Sequence, residues 1–456
     1  MNNQQDKAAF SSYQEAMAFL YKAIDYEKLI SYQYNASTFS LDRMEKLLAH
    51  MGNPHKNLSC VHITGTKGKG STAIMMATIM EYAGLVTGLF TSPHLIDLKE
   101  RIQINRQKIA ETEFASIMDE LQPYIRYLQE TSPSASPTFF EILTALSMVY
   151  FQRKRTEMAV LEVGLGGRLD STNVVVPLAS IITNIGFDHT SILGNTLSSI
   201  AYEKAGIIKQ GVPLVSGIEG AEALSVVEKT CREKNASLYL LGRDIWIEEV
   251  KHLVKDGIRG ILCRIKTWRY TYDNIYLPLA GIHQARNCAL VFGALEILRE
   301  RGIIAVNDDT IRKALAALHC PARIEVIAEN PCIILDFAHT ADSMRFLKKA
   351  LIENFTFRKL IIVLGFSQDK DMDTILKEIV MEADSIIVTR SKNPRAAAPG
   401  DLYQRIERIS GKQPEIVNNV QDAVIMAKQM ASHEDMICIT GSSYVAGEAR
   451  QALYIS

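Results

Sequence analysis

Short apolar runs alternate with helix-length segments along almost the whole chain, and this alternation limits the possible fold more than any other feature. Runs rich in Val and Ile predict strands at 61–64, 85–91, 157–163 and 179–185. Helical patterns separate or follow them at 69–83, 139–153 and 197–205. Such alternation is typical of an α/β protein with a mostly parallel, doubly wound sheet, whose ligands bind at the carboxyl ends of the strands.

The alternation is interrupted once and then resumes, which predicts two domains in the 456 residues. Between Leu238 and Leu279, short runs with polar interruptions predict a small antiparallel patch. A helix at 283–299 follows, and a second series begins near Ile303, with strands at 332–336, 360–365, 385–389 and 436–440. We therefore predict a P-loop-type domain at 1–302, which includes the patch, and a smaller Rossmann-like α/β domain at 303–456.

Composition and charge exclude several classes of protein. The 50 Lys and Arg residues balance 51 Asp and Glu residues, which argues against binding to nucleic acid or to an anionic membrane. No apolar run is long enough to span a bilayer, and the N-terminus lacks the regions of a secretory signal. Seven scattered cysteines without a CxxC pair predict buried thiols in a reducing compartment. We expect a cytoplasmic protein and a monomer.

The segment HITGTKGKGST, residues 62–72, has the composition of a phosphate-binding loop. Three glycines occur within six residues at the end of a predicted strand, and Lys69 and Ser71 open the next helix. Glycines let backbone N–H groups converge on an anion, and the helix dipole and the lysine add positive charge. The spacing differs from GxxxxGK[ST], because Gly65 lies three residues before Gly68 and Gly70 follows Lys69. A plain glycine-rich turn is the alternative, but the strand–loop–helix context favours nucleotide binding.

Three further residues are candidates for chemistry near this loop. Glu162 ends an apolar strand, so it could bind Mg²⁺ beside phosphates, or it could cap the following turn. His189 follows the next strand in Thr183-Asn184-Ile185-Gly186-Phe187-Asp188-His189 and is either a metal ligand or a surface residue. Lys204 lies on the helix after this cluster, where a solvated lysine is the simplest interpretation.

Taken together, the motifs resemble folylpolyglutamate synthase and dihydrofolate synthase, of the Mur ligase superfamily. The resemblance runs from about Tyr32 to the end of the chain and follows the motif order of the family. It rests on HITGTKGKGST, FTSPHLIDLKERIQIN, EVGLGGRLDSTNVV, NIGFDHTSILGNTLSSIAYEKAGIIK, GIHQARNCAL and LGFSQDKD. The resemblance implies an ATP-dependent amide ligase of folate biosynthesis and one-carbon metabolism, which forms an acyl phosphate that the amino group of glutamate captures.

The resemblance also implies roles for individual residues. The ATP phosphates are expected at Gly65, Thr66, Gly68, Lys69, Gly70, Ser71 and Thr72. Mg²⁺ is expected at Ser92, Glu162, His189 and Lys204, with Lys204 carried as a carbamate. Asn287 of HQxxN matches an adenine-side contact, and Arg323 and Asp336 match second-domain residues that reach ATP. Of these, Lys69, Lys204, His189 and Glu162 are the expected catalytic residues.

Two departures from the family pattern bear on the substrate. The chain has Pro321-Ala322-Arg323 where the family usually has Pro-Gly-Arg, and Asp336-Phe337-Ala338-His339-Thr340 where it has Asp-Gly-Ala-His-Asn. Without these glycines, positions 322 and 337 are expected to need no positive φ. The second sequence is closer to muramyl peptide ligases, so a muramyl-peptide-type or other carboxylate–amine ligase is the alternative function. A non-catalytic nucleotide-binding module is a third hypothesis. Folate, dihydropteroate, glutamate and ATP are the expected small-molecule substrates.

Overall fold

The computed structural model describes residues 10, 12–29, 35, 38–132, 136–255 and 258–455. Tyr32, where the family resemblance begins, and the polar residues 1–9 lie outside these ranges. The strands are β1 (Cys60–Thr64), β2 (Thr87–Phe90), β3 (Ile102–Ile104), β4 (Gln107–Lys108), β5 (Met158–Glu162), β6 (Ala179–Ile182), β7 (Leu214–Ser216), β8 (Leu238–Leu240), β9 (Trp246–Lys255), β10 (Ile258–Lys266), β11 (Thr271–Leu277), β12 (Glu325–Glu329), β13 (Cys332–Leu335), β14 (Leu360–Leu364), β15 (Ser385–Val388), β16 (Glu415–Ile416) and β17 (Met436–Thr440).

The α-helices connect these strands and cover the sheets. They are α1 (Tyr13–Leu20), α2 (Leu41–His50), α3 (Lys69–Tyr82), α4 (Glu111–Thr131), α5 (Phe139–Arg153), α6 (Thr190–Leu193), α7 (Leu197–Ala205), α8 (Ala221–Glu233), α9 (Ile282–Glu300), α10 (Asp308–Ala316), α11 (Ala341–Asn354), α12 (Met372–Ile379), α13 (Pro399–Ser410), α14 (Val420–Met430) and α15 (Ser443–Ile455). Within the described ranges, none of them combines the length and the hydropathy required for a membrane span.

Contacts group the chain into two units that interleave along the sequence. The first contains the described residues of Met1–Ser92, Lys99–Tyr239 and Ile297–Ala305. The second contains the described residues of Pro93–Leu98, Leu240–Glu296 and Val306–Ser456. The domain boundary predicted between residues 302 and 303 stays a prediction.

An eight-stranded sheet, in the order β4-β3-β2-β5-β1-β6-β7-β8, forms the centre of the first unit. β1 lies between β5 and β6 and runs parallel to both, and all five of its residues are buried. A strand covered on both faces is mostly apolar, and the apolar residues Cys60, Val61 and Ile63 mark this segment as a strand in the sequence. The carboxyl ends of β1, β5 and β6 therefore meet at one edge of the sheet.

Local capping fixes where the helices of the first unit begin. α5 starts at a capping box, in which the Thr138 side chain and the Glu141 side chain each accept the other's backbone N–H. α7 starts at a similar box formed by Thr196 and Ser199. Both helices have the bounds predicted from the sequence, because the cap and the apolar pattern agree on each start.

Two sheets belong to the second unit. The antiparallel sheet β11-β10-β9 is the patch predicted between Leu238 and Leu279. The six-stranded sheet β12-β13-β17-β14-β15-β16 is parallel except for β12. Alternate residues of its strands enter two separate apolar clusters, so both faces of this sheet are buried. The predicted α/β class, with its antiparallel patch and C-terminal α/β domain, is confirmed.

Candidate functional site

The glycine-rich loop connects β1 to α3 and leads directly into the first turn of that helix. Gly68 has φ +82 and precedes Lys69, the first residue of α3, and no side chain caps this helix end. The uncapped start of a helix is a favourable place for a phosphate, because its N–H groups and its dipole both point at the anion. A Cβ on Gly65 would lie 1.8 Å from Thr183 Oγ1, so the loop cannot accept a larger residue there without moving.

Polar groups of the predicted phosphate cradle, Gly65 to Thr72, are arranged around this loop and the first turn of α3. Lys69 Nζ donates to the carbonyl oxygen of Gly65 over 3.1 Å, and Thr72 Oγ1 donates to Gly68 O over 2.9 Å. Ser71 is fully buried, and its hydroxyl has no hydrogen-bond partner in the described part of the chain. A buried hydroxyl without a partner is unusual, and a bound anion or cation would satisfy it.

The segment after β6 holds the phosphate loop from one side. Thr66 N donates to Asn184 O over 3.0 Å, and Lys67 N donates to Asn184 Oδ1 over 2.8 Å. Thr183 Oγ1 donates to Lys67 O over 2.5 Å, and Lys67 Nζ pairs with Asp188 Oδ2 at 2.8 Å. The polar cluster noted in the sequence after this strand is therefore an anchor for the loop. Sequence reasoning had selected only His189 from it.

Lys204 is buried rather than solvated, so the simplest interpretation of this residue from the sequence is wrong. Its side chain comes from α7, is 4% exposed, and donates from Nζ to Gly65 O over 3.0 Å. Lys69 donates to the same carbonyl oxygen. Burial, reinforced by the positive charge of Lys69, lowers the pKa of the Lys204 amine to about 7. Near neutral pH a large fraction of this amine is therefore uncharged and nucleophilic.

The glycine-rich bend after β5 packs directly against α7 and fixes the position of that helix. A Cβ on Gly167 would lie 2.9 Å from the Glu203 carbonyl oxygen. Arg168 then forms a two-pronged ion pair with the Glu203 carboxylate, with distances of 3.1 and 2.8 Å. Nothing in the sequence pointed to this pair, because its partners are 35 residues apart. It places the Lys204 backbone beside the bend.

Two of the predicted metal ligands lie together at the sheet edge. Glu162 ends β5, is 3% exposed, and accepts the backbone N–H of Ser92 at Oε2 over 3.1 Å. Ser92 follows β2, the neighbour of β5 in the sheet. This contact brings the Ser92 backbone to the Glu162 carboxylate.

His189 begins the short helix α6 from a left-handed backbone conformation, with φ +51 and ψ +38. Its ring is 34% exposed and lies 3.8 Å from Asp188 Oδ1, measured from Nε2. Across the described ranges, no three His, Cys, Asp or Glu side chains are grouped closely enough to hold a metal ion by themselves. A metal at Glu162 and His189 would therefore need hydroxyl, phosphate or other oxygen ligands as well.

The residues that resemblance assigns to the nucleotide side belong to the second unit. Asn287 is buried in α9 and donates to Gln284 Oε1 over 3.1 Å. The Arg323 guanidinium lies 4.6 Å from the centre of the Phe337 ring. The Asp336 carboxylate accepts the N–H groups of Ile324 and Ala338, over 3.1 and 2.7 Å, and burial raises its pKa to about 6.

One prediction about this turn is wrong. The absence of glycine at position 322 predicts that this position needs no positive φ, but Ala322 has φ +53. The same prediction is correct for Phe337, which has no positive φ. Ile324 also has φ +53. Hydrogen bonds from Ala322 N to Glu325 Oε2 and from Ile324 N to Asp336 Oδ2 stabilise these uncommon conformations. Arg323 lies between these two residues of positive φ, Ala322 and Ile324.

All seven cysteines are buried free thiols, as predicted from their spacing. Burial raises the pKa of the Cys60 thiol to about 12 and that of Cys320 to about 11. Thiols of this kind are neutral and poorly nucleophilic at physiological pH. Cysteine chemistry therefore has no part in the site described above.

Comparison with protein families matches both parts of the chain. The Mur ligase middle domain matches residues 63–295, and the glutamate ligase domain of the Mur ligases matches residues 322–443.

Similar proteins match over almost the full length. The chain is 32% identical to the dihydrofolate synthase/folylpolyglutamate synthase of Bacillus subtilis (strain 168) over 445 residues, which cover 97% of this chain and 100% of that protein. A structure of Mycobacterium tuberculosis folylpolyglutamate synthase with ADP and AMPPCP superimposes with a TM-score of 0.87 at 29% identity, covering 97% and 98% of the two chains. An FPGS–AMPPCP–folate complex gives a TM-score of 0.80 at 28% identity, covering 97% and 99%.

Proposed function

The chain belongs to the Mur ligase family and to its folylpolyglutamate and dihydrofolate synthase branch, and from this we infer that it is an ATP-dependent ligase that joins L-glutamate to a folate. The observation that carries this inference is the phosphate loop at the end of β1, with Glu162 on one flank and the anchoring segment 183–188 on the other. The alternative function as a muramyl-peptide-type ligase is less well supported, because the names of the relatives that match over the full length refer to folates.

The reaction needs two transfers that balance without an oxidant or reductant. A carboxylate oxygen of the folate attacks the γ-phosphorus of ATP, the bond to the β,γ-bridging oxygen breaks, and ADP leaves. The amino nitrogen of glutamate then attacks the acyl carbon, phosphate leaves, and the nitrogen loses a proton to give the amide. Phosphoryl transfer depends mainly on positioning and charge neutralisation, which are what the α3 N-terminus and Lys69 supply.

We propose that Mg²⁺ binds at Ser92, Glu162 and His189, beside Ser71 of the phosphate loop. Two observations support this: the Glu162 carboxylate lies against Ser92, and the buried Ser71 hydroxyl has no partner in the described part of the chain. Oxygen donors together with phosphates are the ligand set that Mg²⁺ prefers. When bound, Mg²⁺ supplies positive charge that offsets the charge developing on the transferred phosphoryl group.

We propose that Lys204 carries a carbamate. Its amine is buried, and its pKa of about 7 makes the neutral form available. In carbamylation the amine lone pair forms a bond to the carbon of CO₂, one C=O electron pair moves to oxygen, and a proton leaves the nitrogen. The cation then becomes an anion beside Lys69, which removes the repulsion between two ammonium groups at Gly65 O. Electron density beyond Nζ, or a ¹³C carbamate signal from protein equilibrated with labelled bicarbonate, tests this proposal.

The remaining assignments follow from the same family membership. Asn287, Arg323 and Asp336 are proposed as nucleotide contacts, and dihydropteroate is proposed as a second acceptor besides tetrahydrofolyl-polyglutamate. That the protein is a cytoplasmic monomer that binds no nucleic acid stays a prediction.

The experiment that tests the function compares acceptors. Purified protein is incubated with ATP, MgCl₂, L-glutamate and, in separate reactions, tetrahydrofolate, dihydropteroate or a UDP-muramyl peptide precursor, and ADP release and product mass are measured. Glutamylation of a pterin acceptor is expected. Product from the UDP-muramyl substrate alone would overturn the proposal.

A matched pair of variants tests the phosphate loop in the same assay. Lys69→Ala should abolish turnover, because its ammonium group neutralises phosphate charge. Lys46→Ala, which removes an exposed lysine paired with Asp42 on α2, should leave turnover unchanged. Turnover by Lys69→Ala at the wild-type rate would show that this loop is not the ATP site.

A further inference from the structure

An ion pair connects the side chain of the phosphate loop residue Lys67 to the segment that carries His189. Lys67 Nζ lies 2.8 Å from Asp188 Oδ2, and the two side chains are 26% and 10% exposed. Ion pairs fully open to water contribute little, but partial burial strengthens the attraction and reduces its screening by salt. This ion pair therefore holds the Lys67 side chain against Asp188 more strongly than an exposed surface pair would.

The second carboxylate oxygen of Asp188 acts on the backbone of His189. Asp188 Oδ1 accepts the N–H of His189 over 3.0 Å, and His189 has the left-handed φ of +51. Residues with a Cβ adopt this conformation rarely, so it needs support from its surroundings. One carboxylate therefore holds both the Lys67 ammonium group and the unusual backbone that aims the His189 side chain.

The backbone of Lys67 is held independently of its side chain. Its N–H donates to Asn184 Oδ1 over 2.8 Å, and its carbonyl accepts Thr183 Oγ1 over 2.5 Å. Removing the ammonium group should therefore leave the phosphate loop in place. The loss should instead change the position of the Asp188 carboxylate and, through it, the backbone conformation of His189.

We propose that Lys67 is a positioning residue, which acts through Asp188 to set the His189 imidazole relative to the phosphate loop. The inference rests on the proposed function, in which His189 binds the metal and the loop binds the phosphates of ATP. It differs from a direct role in binding phosphate, because the Lys67 ammonium group is engaged by Asp188. Groups that orient a metal ligand through hydrogen bonds commonly change metal affinity about 10- to 100-fold when they are removed.

The test measures metal and nucleotide binding separately. Mn²⁺ replaces Mg²⁺ as a paramagnetic probe, and its binding to the protein saturated with AMPPCP is followed by electron paramagnetic resonance. AMPPCP affinity is measured in parallel in EDTA, without metal. Lys67→Met and Asp188→Asn should each weaken Mn²⁺ binding about 10-fold or more, with AMPPCP affinity in EDTA unchanged. Lys67→Arg should retain most of the wild-type Mn²⁺ affinity, because arginine keeps the positive charge that pairs with Asp188.

Two further variants make the interpretation specific. Lys99→Met breaks another partly buried ion pair of the first unit, at 2.7 Å from Glu111, and should leave Mn²⁺ binding at the wild-type level. The double variant Lys67→Met/Asp188→Asn should bind Mn²⁺ no more weakly than the weaker single variant, since both changes break the same link. Additive losses would contradict the proposed route through Asp188.

The outcomes separate this inference from the proposed metal site. If Lys67→Met loses AMPPCP affinity in EDTA while its Mn²⁺ binding is intact, Lys67 is a phosphate ligand and the inference is overturned. If His189→Ala binds Mn²⁺ as well as wild type, the metal site itself is wrong, whatever Lys67 does. Asp188→Asn keeps an oxygen for the His189 N–H, so it provides the test should Lys67→Met fail to fold.

Discussion

At the scale of single residues, the amine of Lys204 shares the carbonyl oxygen of Gly65 with the ammonium group of Lys69, at 3.0 and 3.1 Å. Two positive charges this close in a buried place repel each other strongly. Burial of the Lys204 amine, and then this repulsion, favour loss of its proton and so lower its pKa. The same neutral amine is the form that reacts with CO₂.

The stability of the protein should therefore depend on pH through Lys204. Its pKa is about 7 in the folded chain and near 10.4 in an unfolded one, so between these values the unfolded state binds more protons. Stability then rises with pH in this window, by up to about 1.4 kcal/mol per pH unit. Urea unfolding in CO₂-free buffer at pH 7, 8 and 9 should show the free energy of unfolding of wild type rising relative to Lys204→Met. A constant difference would contradict the burial of a titrating amine.

Ser71 offers a second test at the residue scale, because its hydroxyl is buried without a partner in the described ranges. Ser71→Ala should raise the free energy of unfolding by about 1 kcal/mol, since an unsatisfied polar group is removed. It should also lower ATP-dependent turnover at least about 10-fold. The control Ser147→Ala removes a buried hydroxyl that donates to Thr144 O over 2.7 Å, and it should destabilise the fold without changing turnover. A destabilised Ser71→Ala with normal turnover would show that this hydroxyl serves packing.

At the scale of secondary-structure elements, the sequence was most informative where local and long-range signals agree. The sequence located the buried strands β1, β2, β5, β6, β13, β14, β15 and β17 to within three residues, because such strands are mostly runs of apolar residues. The sequence did not predict the strands β3, β4, β7, β12 and β16, because a strand of two to five residues carries little periodicity.

The site was predictable in its residue types and not in its contacts. Lys69 and Ser71 lie next to glycines, and Glu162 lies at the end of a strand, so the sequence alone identifies them as candidates. The pair between Lys67 and Asp188 joins residues 121 positions apart, and no local pattern reveals it. The prediction that position 322 needs no positive φ is wrong, because hydrogen bonds to Glu325 and Asp336 stabilise a conformation that alanine by itself disfavours.

Close packing of α15 gives a prediction at this scale. A Cβ on Gly447 would lie 2.0 Å from the carbonyl oxygen of Leu95, within the second unit. Gly447→Ala should therefore destabilise that unit by about 1–3 kcal/mol, although alanine is the better helix former. The control Gly400→Ala, on α13, has nothing within 4 Å of its Cβ and should leave the unit as stable or slightly more stable. Equal melting temperatures for the two variants would contradict the close approach.

At the scale of the whole molecule, the first unit contains the phosphate loop, and the second unit contains Asn287, Arg323 and Asp336. The full-length match to folate ligases fits an enzyme that acts on small molecules. The proposed reaction of this enzyme is carboxylate activation by phosphoryl transfer, followed by amide formation with glutamate.

Activation of the acceptor carboxylate can be followed through its oxygen atoms. A pterin acceptor labelled with ¹⁸O in its carboxylate is incubated with ATP, MgCl₂ and L-glutamate, and the products are analysed by mass spectrometry. Attack of the carboxylate on the γ-phosphorus predicts one labelled oxygen in the released phosphate, together with ADP and an acceptor extended by one glutamyl residue. Label in AMP, or ADP release without a glutamylated product, would contradict the account.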